Sequence, residues 1–324
     1  MILVTGGAGY IGSHYVQRAC EQGESVVVLD NMSYGHKLSV PAGVELVQGD
    51  MGDPTLLDLL FTRHNFDAVV HFAAFAYVGE SVSDPSKYYT NNVTSTLTVL
   101  DAMRRHSVTM FVFSSTCATF GDPRYMPIDE NHPQAPINPY GESKLFVERI
   151  LRSFDLAYGM KFIALRYFNA AGADPHGRIG ESHYPETHLI PLILQVATGA
   201  RSSIGIFGTD YDTPDGTAIR DYVHVLDLAE AHALALKQLR SGGGSDFYNI
   251  GGERGYSVRE VIAICEKVTH RAIKSDDKPR RAGDPPRLVA AAAKVKSDLG
   301  WTARFNNLEE IVSTAWNWEQ RRRY

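Results

Sequence analysis

The glycine-rich run Thr5-Gly6-Gly7-Ala8-Gly9-Tyr10-Ile11-Gly12, directly after the apolar stretch Ile2-Leu3-Val4, constrains this chain more than any other feature. Glycines between a first strand and a first helix let the backbone turn tightly, approach a pyrophosphate and pack the helix closely on the strand. The free N–H groups of Tyr10, Ile11 and Gly12 at the helix start then hold phosphate charge. Asp30 ends the second predicted strand, where a carboxylate accepts hydrogen bonds from adenosine ribose hydroxyls and repels a 2′-phosphate. The run therefore predicts an NAD site in preference to an NADP site.

The surrounding pattern agrees. Apolar runs at 2–4, 25–29, 44–47, 68–71, 110–113 and 162–165 read as buried strands, with helical stretches at 11–21, 55–62, 88–105 and 140–158 between them. Strict alternation predicts an α/β fold with a doubly wound parallel sheet of Rossmann type, whose ligands lie beyond the carboxyl ends of the strands. After about residue 170, glycine and proline punctuate the chain. Residues 1–170 are read as the NAD-binding domain and 171–324 as mainly a smaller mixed α/β substrate-binding domain. The boundary is soft, and the segment near 220–250 is a candidate to return to the first domain. A helix is expected over 225–239, a short strand at 248–250, and another helix after Ser257, with Glu260 at the capping-box position.

Composition narrows the function classes. Lys plus Arg number 32 against 37 Asp plus Glu, a net charge of −5, which argues against nucleic-acid or anionic-membrane partners. No apolar run approaches the ~18–20 residues of a membrane span, and the start of the chain reads as a strand and not a signal peptide. Cys20, Cys117 and Cys265 form no C-x-x-C pair, which suits a reducing cytoplasm. His183 and His188 show no helical H-x-x-x-H spacing, so no metal is expected. The basic run 278–281 and Arg321-Arg322-Arg323 read as solvated surface.

A second motif, Tyr140-Gly141-Glu142-Ser143-Lys144, places a phenol and an ammonium one helical turn apart, after Asn138 and Pro139 as N-cap and first helical residue. The ammonium and the positive helix end would lower the tyrosine pKa, making Tyr140 a candidate general acid/base. The hydroxyl-rich stretch Ser114–Thr119 follows a strand, so some of its hydroxyls should face the cofactor and others the local backbone.

With Gly49-Asp50, His71-Phe72-Ala73-Ala74, 78–82, Asn91-Asn92, Arg166–Asn169, Phe207-Gly208, 220–224 and 280–284, these motifs resemble the extended short-chain dehydrogenase/reductase family and, within it, the UDP-hexose 4-epimerases. The resemblance spans nearly the whole chain. It implies that UDP-glucose and UDP-galactose interconvert through a transient 4-keto sugar and bound NADH. Tyr140 would take the sugar 4-hydroxyl proton, Thr116 would hydrogen-bond the 4-oxygen, and Lys144 would bind the nicotinamide ribose. Cofactor contacts carry over to Gly6, Gly9, Asn31, Asp50, Met51, Phe72, Ala73, Ala74, Asn91 and Phe168. Contacts to the UDP-sugar carry over to Asn169, His188, Leu189, Phe207, Arg220, Tyr222, Arg281 and Asp284. A homodimer built on the helices at 88–105 and 140–158 is implied as well.

Ala76, Thr187-His188-Leu189 and Leu288 depart from the usual pattern, which leaves open another UDP-sugar, N-acetylated or pentose. A nucleotide-sugar dehydratase or decarboxylase is disfavoured, because Cys117 and Ala118 stand where those enzymes carry acidic residues. A non-catalytic NAD-binding regulator would be expected to lose the Tyr140/Lys144 pair.

Overall fold

The computed structural model describes residues 1–281 and 283–324; Ala282, inside the 280–284 motif, lies outside the described residues. Short aliphatic runs, most of them buried on both faces, build a seven-stranded parallel sheet. In chain order the strands are β1 Ile2–Thr5, β2 Val26–Asp30, β3 Glu45–Gln48, β4 Ala68–His71, β5 Met110–Thr116 and β6 Lys161–Tyr167. They are followed by β7 Asn169–Ala171, β8 Ile204–Phe207, β9 Ile219–His224 and β10 Asp246–Ile250. The sheet order is β10-β6-β5-β4-β1-β2-β3. Val4 sits between Val28 and Val70, so the order reverses between β1 and β4 and a crevice opens beyond their carboxyl ends.

On one face, helices Tyr10–Glu21 and Val225–Arg240 bring Tyr15, Leu228 and Leu236, with Trp301, against Val4, Val28 and Val112. On the other, helices Pro54–Arg63, Ser95–Arg105 and Pro139–Tyr158 bring Leu57, Leu100 and Leu151 against Leu3, Val69 and Phe162. The expected helix over 88–105 is interrupted by a wider, π-type turn at Tyr89–Thr94. Within it, the Asn92 carboxamide accepts from the Phe75 N–H at 2.9 Å and donates to the Phe75 carbonyl at 3.0 Å.

The remaining elements form a third apolar cluster, in which helices Leu189–Thr198, Val258–Thr269 and Leu308–Glu319 pack around β9. Strand β11 Gly255–Ser257 runs antiparallel to β9, β12 Ser275–Lys278 pairs with β8, and β13 Arg287–Leu288 pairs with β9. Ser257 and Glu260 form the expected capping box. Helix Val225–Arg240 packs on the main sheet, and β10 extends that sheet beside β6.

The end of the chain is not simply solvated. Arg322 donates to Ser182 Oγ at 2.8 Å, and Tyr324 stacks on His36 with ring centroids 4.4 Å apart. Aromatic area at 324 outweighs the hydration of the preceding arginines, a signal that a count of charges does not carry. In the 278–281 run, Arg280 pairs with Asp210 at 2.7 Å.

Candidate active site

The floor of the site is bare backbone. Gly6 has φ +71°, and a Cβ there would stand 2.5 Å from the Ala73 nitrogen; a Cβ on Gly12 would stand 2.2 Å from the Gly6 carbonyl oxygen. Gly9 is the N-cap of helix Tyr10–Glu21 and has no side chain to occupy the first N–H groups. These close approaches leave donors that fit a pyrophosphate. Gly6, Gly9, Asp30, Asn31 and Met51 line a hollow beside that floor, with Phe72, Ala73, Ala74 and Asn91 opposite. Asp30 accepts from the Ala8 N–H at 3.0 Å and the Met32 N–H at 2.8 Å, one per oxygen, so each oxygen keeps a lone pair for a ribose hydroxyl. Asp50 stands beside the hollow and not in its lining, accepting from Asn31 Nδ2 at 3.4 Å and the Gly52 N–H at 2.7 Å. The donor-rich floor and the acceptor at Asp30 together fit NAD.

A second cavity shares Gly6, Gly9, Phe72 and Ala74 with the first and extends past Tyr10, Ile11 and Gly12. Thr116, Tyr140, Lys144 and Phe168 line it. Tyr140 lies in the first turn of helix Pro139–Tyr158, capped by Asn138, whose Oδ1 accepts from the Gly141 N–H at 2.9 Å. Thr116 lines the cavity beside the Tyr140 phenol, its Oγ1 accepting from the Ala118 N–H at 3.1 Å. Lys144 is 4% exposed, and its Nζ donates to the Ser114 carbonyl at 2.9 Å. The neighbouring hydroxyls are engaged elsewhere. Ser114 meets His232 Nε2 at 2.9 Å, Ser115 donates to Glu148 Oε1 at 2.6 Å, and Thr119 donates to the Thr116 carbonyl at 3.0 Å. Of this stretch's hydroxyls only Thr116 faces the cavity.

Contrary to the helix argument, the protein alone does not lower the Tyr140 pKa. Burial pushes the phenol well above its ordinary value, the neighbouring Tyr167 adds to this, and only the nearby Thr116 hydroxyl pulls the other way. Burial also drives Lys144 down to about 7, against the pull of Glu148. An ammonium this close to neutrality carries little of the field that would favour phenolate. The stability consequence has a definite sign. Between about pH 7 and pH 10 the unfolded chain holds a proton that folded Lys144 has released, so stability rises with pH through that window. Denaturation midpoints of the cofactor-free protein and its Lys144→Met variant should therefore differ most in the variant's favour near pH 7, and converge towards pH 10. A pH-independent difference would refute the burial argument.

At the far end, Asn169, His188, Arg220, Asp284 and Leu288 line the cavity. Asn169 Nδ2 donates to the Asp221 carbonyl at 2.9 Å, fixing its amide plane. Arg220 and Asp284 pair with each other, so the guanidinium is already desolvated and oriented before any anion arrives. Four expected substrate residues are not in the lining. Tyr222 is 8% exposed and packs in the third apolar cluster, with Leu189 against the same cluster. Phe207 and Arg281 cover one another, the guanidinium 3.8 Å from the ring centroid. Glu181 and His183, which the sequence reading leaves without a role, do line it. The available signal was the doubled Glu-x-His spacing of 181–183 and 186–188.

The family model described as "NAD dependent epimerase/dehydratase family" matches residues 2–251. The chain belongs to the NAD dependent epimerase/dehydratase family. Among its relatives in this family, the UDP-glucose 4-epimerase of Halalkalibacterium halodurans is 53% identical, over 98% of this chain and 95% of that protein. The crystal structure of UDP-glucose 4-epimerase from Brucella ovis in complex with NAD is 47% identical and superposes with a TM-score of 0.95, covering 97% of each chain. That of the Bifidobacterium longum enzyme in complex with NAD+ and UDP is 38% identical, with a TM-score of 0.94 over 99% of this chain and 98% of that one. The epimerase/dehydratase family therefore accounts for both the sheet and the bare glycine floor. Among the described residues no helix is long and apolar enough to cross a membrane.

Proposed function

We propose that this chain is an NAD-dependent 4-epimerase that interconverts UDP-glucose and UDP-galactose. The observation that carries this reading is the convergence of Tyr140, Thr116 and Lys144 with Arg220 in one cavity bordering the glycine floor. NAD, when bound, supplies the acceptor and donor of the electron pair at the sugar's C4 carbon. The chain's own groups do the rest. Tyr140 takes the 4-hydroxyl proton and returns it, Thr116 holds the 4-oxygen, and Lys144 orients the ribose side of the cofactor. Arg220 holds the diphosphate by exchanging its pairing with Asp284 for a charge-assisted contact with the ligand. Cys117 supports epimerisation over elimination. Burial pushes its thiol up to about 12, so neither it nor Ala118 offers a base near neutral pH.

A second reading, a 4-epimerase of another UDP-sugar, is supported by Leu288 in the lining, where its size limits what the sugar can carry. We also infer a cytoplasmic homodimer. Cys20, Cys117 and Cys265 are free, and Leu97, Leu156 and Tyr158 are exposed on helices Ser95–Arg105 and Pro139–Tyr158. The test uses purified protein without added cofactor, given UDP-galactose, UDP-N-acetylgalactosamine or UDP-xylose and followed by NMR. UDP-glucose should appear first. A 4-keto-6-deoxy sugar would instead sink the epimerase assignment. Sedimentation equilibrium on the same sample should give twice the 35.8 kDa chain mass, and a monomer would refute the dimer.

A further inference from the structure

Between β7 and helix Leu189–Thr198 the chain carries two copies of Glu-x-His, Glu181-Ser182-His183 and Glu186-Thr187-His188. The segment folds so that one donor atom from each Glu and His lies within 4.8 Å of the other three. His183 Nδ1 stands 3.2 Å from Glu181 Oε1 and 3.6 Å from Glu186 Oε2. His188 Nδ1 stands 2.7 Å from Glu181 Oε1 and 3.0 Å from Glu186 Oε1. Among the described residues no lysine or arginine pairs with either carboxylate.

One proton on His188 satisfies its contact with Glu186. It leaves Glu181 Oε1 and His183 Nδ1 shielded from solvent without a hydrogen-bond partner, since the approaches of 2.7 and 3.2 Å lack hydrogen-bond alignment. Glu181 is 7% exposed, and its shielded Oε1 has no water to turn to. Four donor atoms gathered this closely, two of them without a hydrogen-bond partner, make a ligand set that fits a cation. The separations bracket the edge of about 3.3 Å expected for a tetrahedron with metal–ligand bonds of ~2.0–2.1 Å.

The surroundings hold the ligands in place. Trp318 Nε1 donates to the Glu181 carbonyl at 2.8 Å, and the N–H groups of Thr187 and His188 hold Glu186 Oε1, leaving Oε2 free. The rings of Tyr10 and Tyr77 meet His183 edge to face, at 6.2 and 6.0 Å between centroids. Such outer contacts are what orient ligands in built metal sites.

We propose that Glu181, His183, Glu186 and His188 bind one divalent transition-metal ion of the zinc class. Two imidazole nitrogens and two carboxylate oxygens suit zinc better than magnesium or calcium, which prefer oxygen alone. The ion balances the two carboxylates and braces the segment whose Glu181, His183 and His188 form one wall of the cavity. This assignment is independent of the reaction the cavity performs.

The full-length protein is stripped with a chelator, desalted and titrated with zinc chloride by calorimetry, with metal content read by mass spectrometry. One zinc per chain is expected, with a buffer-dependent heat from protons displaced off the histidines. Cobalt(II) in its place should give the intense visible absorption of a tetrahedral site. His183→Gln and Glu181→Gln should each weaken zinc at least about 10-fold. His188→Gln repeats the measurement at a partly exposed position should a buried variant fail to fold, and circular dichroism checks the fold of each. Absence of saturable zinc in the stripped protein, unchanged affinity in folded variants, or equal affinity for magnesium would overturn the proposal.

Discussion

Tyr140→Phe is expected to lower turnover of UDP-galactose by about 10³-fold or more while the protein still carries NAD. The substitution removes one oxygen and keeps the ring, so the edge-to-face contact with Tyr88, at 6.5 Å between centroids, survives. Proton transfer by a positioned group contributes roughly 10²–10⁴-fold. In the proposed reaction the phenol is both the acceptor and the returning donor of the same proton, so its loss falls at the upper part of that range. The cofactor floor at Gly6, Gly9 and Gly12 lies on a different element and is untouched. Turnover by NMR, beside NAD released on denaturation, separates the two effects. Near-normal turnover would remove Tyr140 from the chemistry, and loss of NAD would reassign it to binding.

The second large effect is on stability. Arg166 and Glu148 are each 2% exposed, and the guanidinium meets the carboxylate at 2.9 and 2.7 Å. Ser115 donates to one carboxylate oxygen at 2.6 Å and Gln134 to the other at 2.8 Å, so both oxygens are fully engaged. Arg166→Ala strands the Glu148 charge in the interior, which costs about 3–5 kcal/mol, whereas removing both charges costs less. A urea midpoint well below the parent's is expected for Arg166→Ala, with partial recovery in Arg166→Met/Glu148→Gln. A single variant no less stable than the parent would show that the pair is not holding helix Pro139–Tyr158 to β5 and β6.

Much of this architecture is readable from the residues because a strand buried on both faces leaves a short aliphatic run. β1, β2 and β4 are such runs, and the glycines after β1 admit few other uses. The caps at Asn138 and Ser257 are legible for a similar reason, since each is a local contact within three residues. What escapes depends on distant neighbours. The direction of the Tyr140 pKa is set by burial against Tyr167, which the spacing from Lys144 does not contain. Tyr222 resembles a ligand residue by motif but is claimed by the third apolar cluster. The Glu181–His188 group sits in irregular chain, where no helical or strand period brings its members forward.

The position of β10 bears on how the molecule is made. It pairs with β6 from Asp246 opposite Ile163 to Ile250 opposite Tyr167, so closing the sheet spans a long stretch of intervening chain. Until residue 240 has been synthesised, Ile163 and Leu165 lack the cover of helix Val225–Arg240. Closing so long a loop is entropically costly and slow. The main sheet therefore gains its seventh, edge strand only once the chain through residue 250 is available.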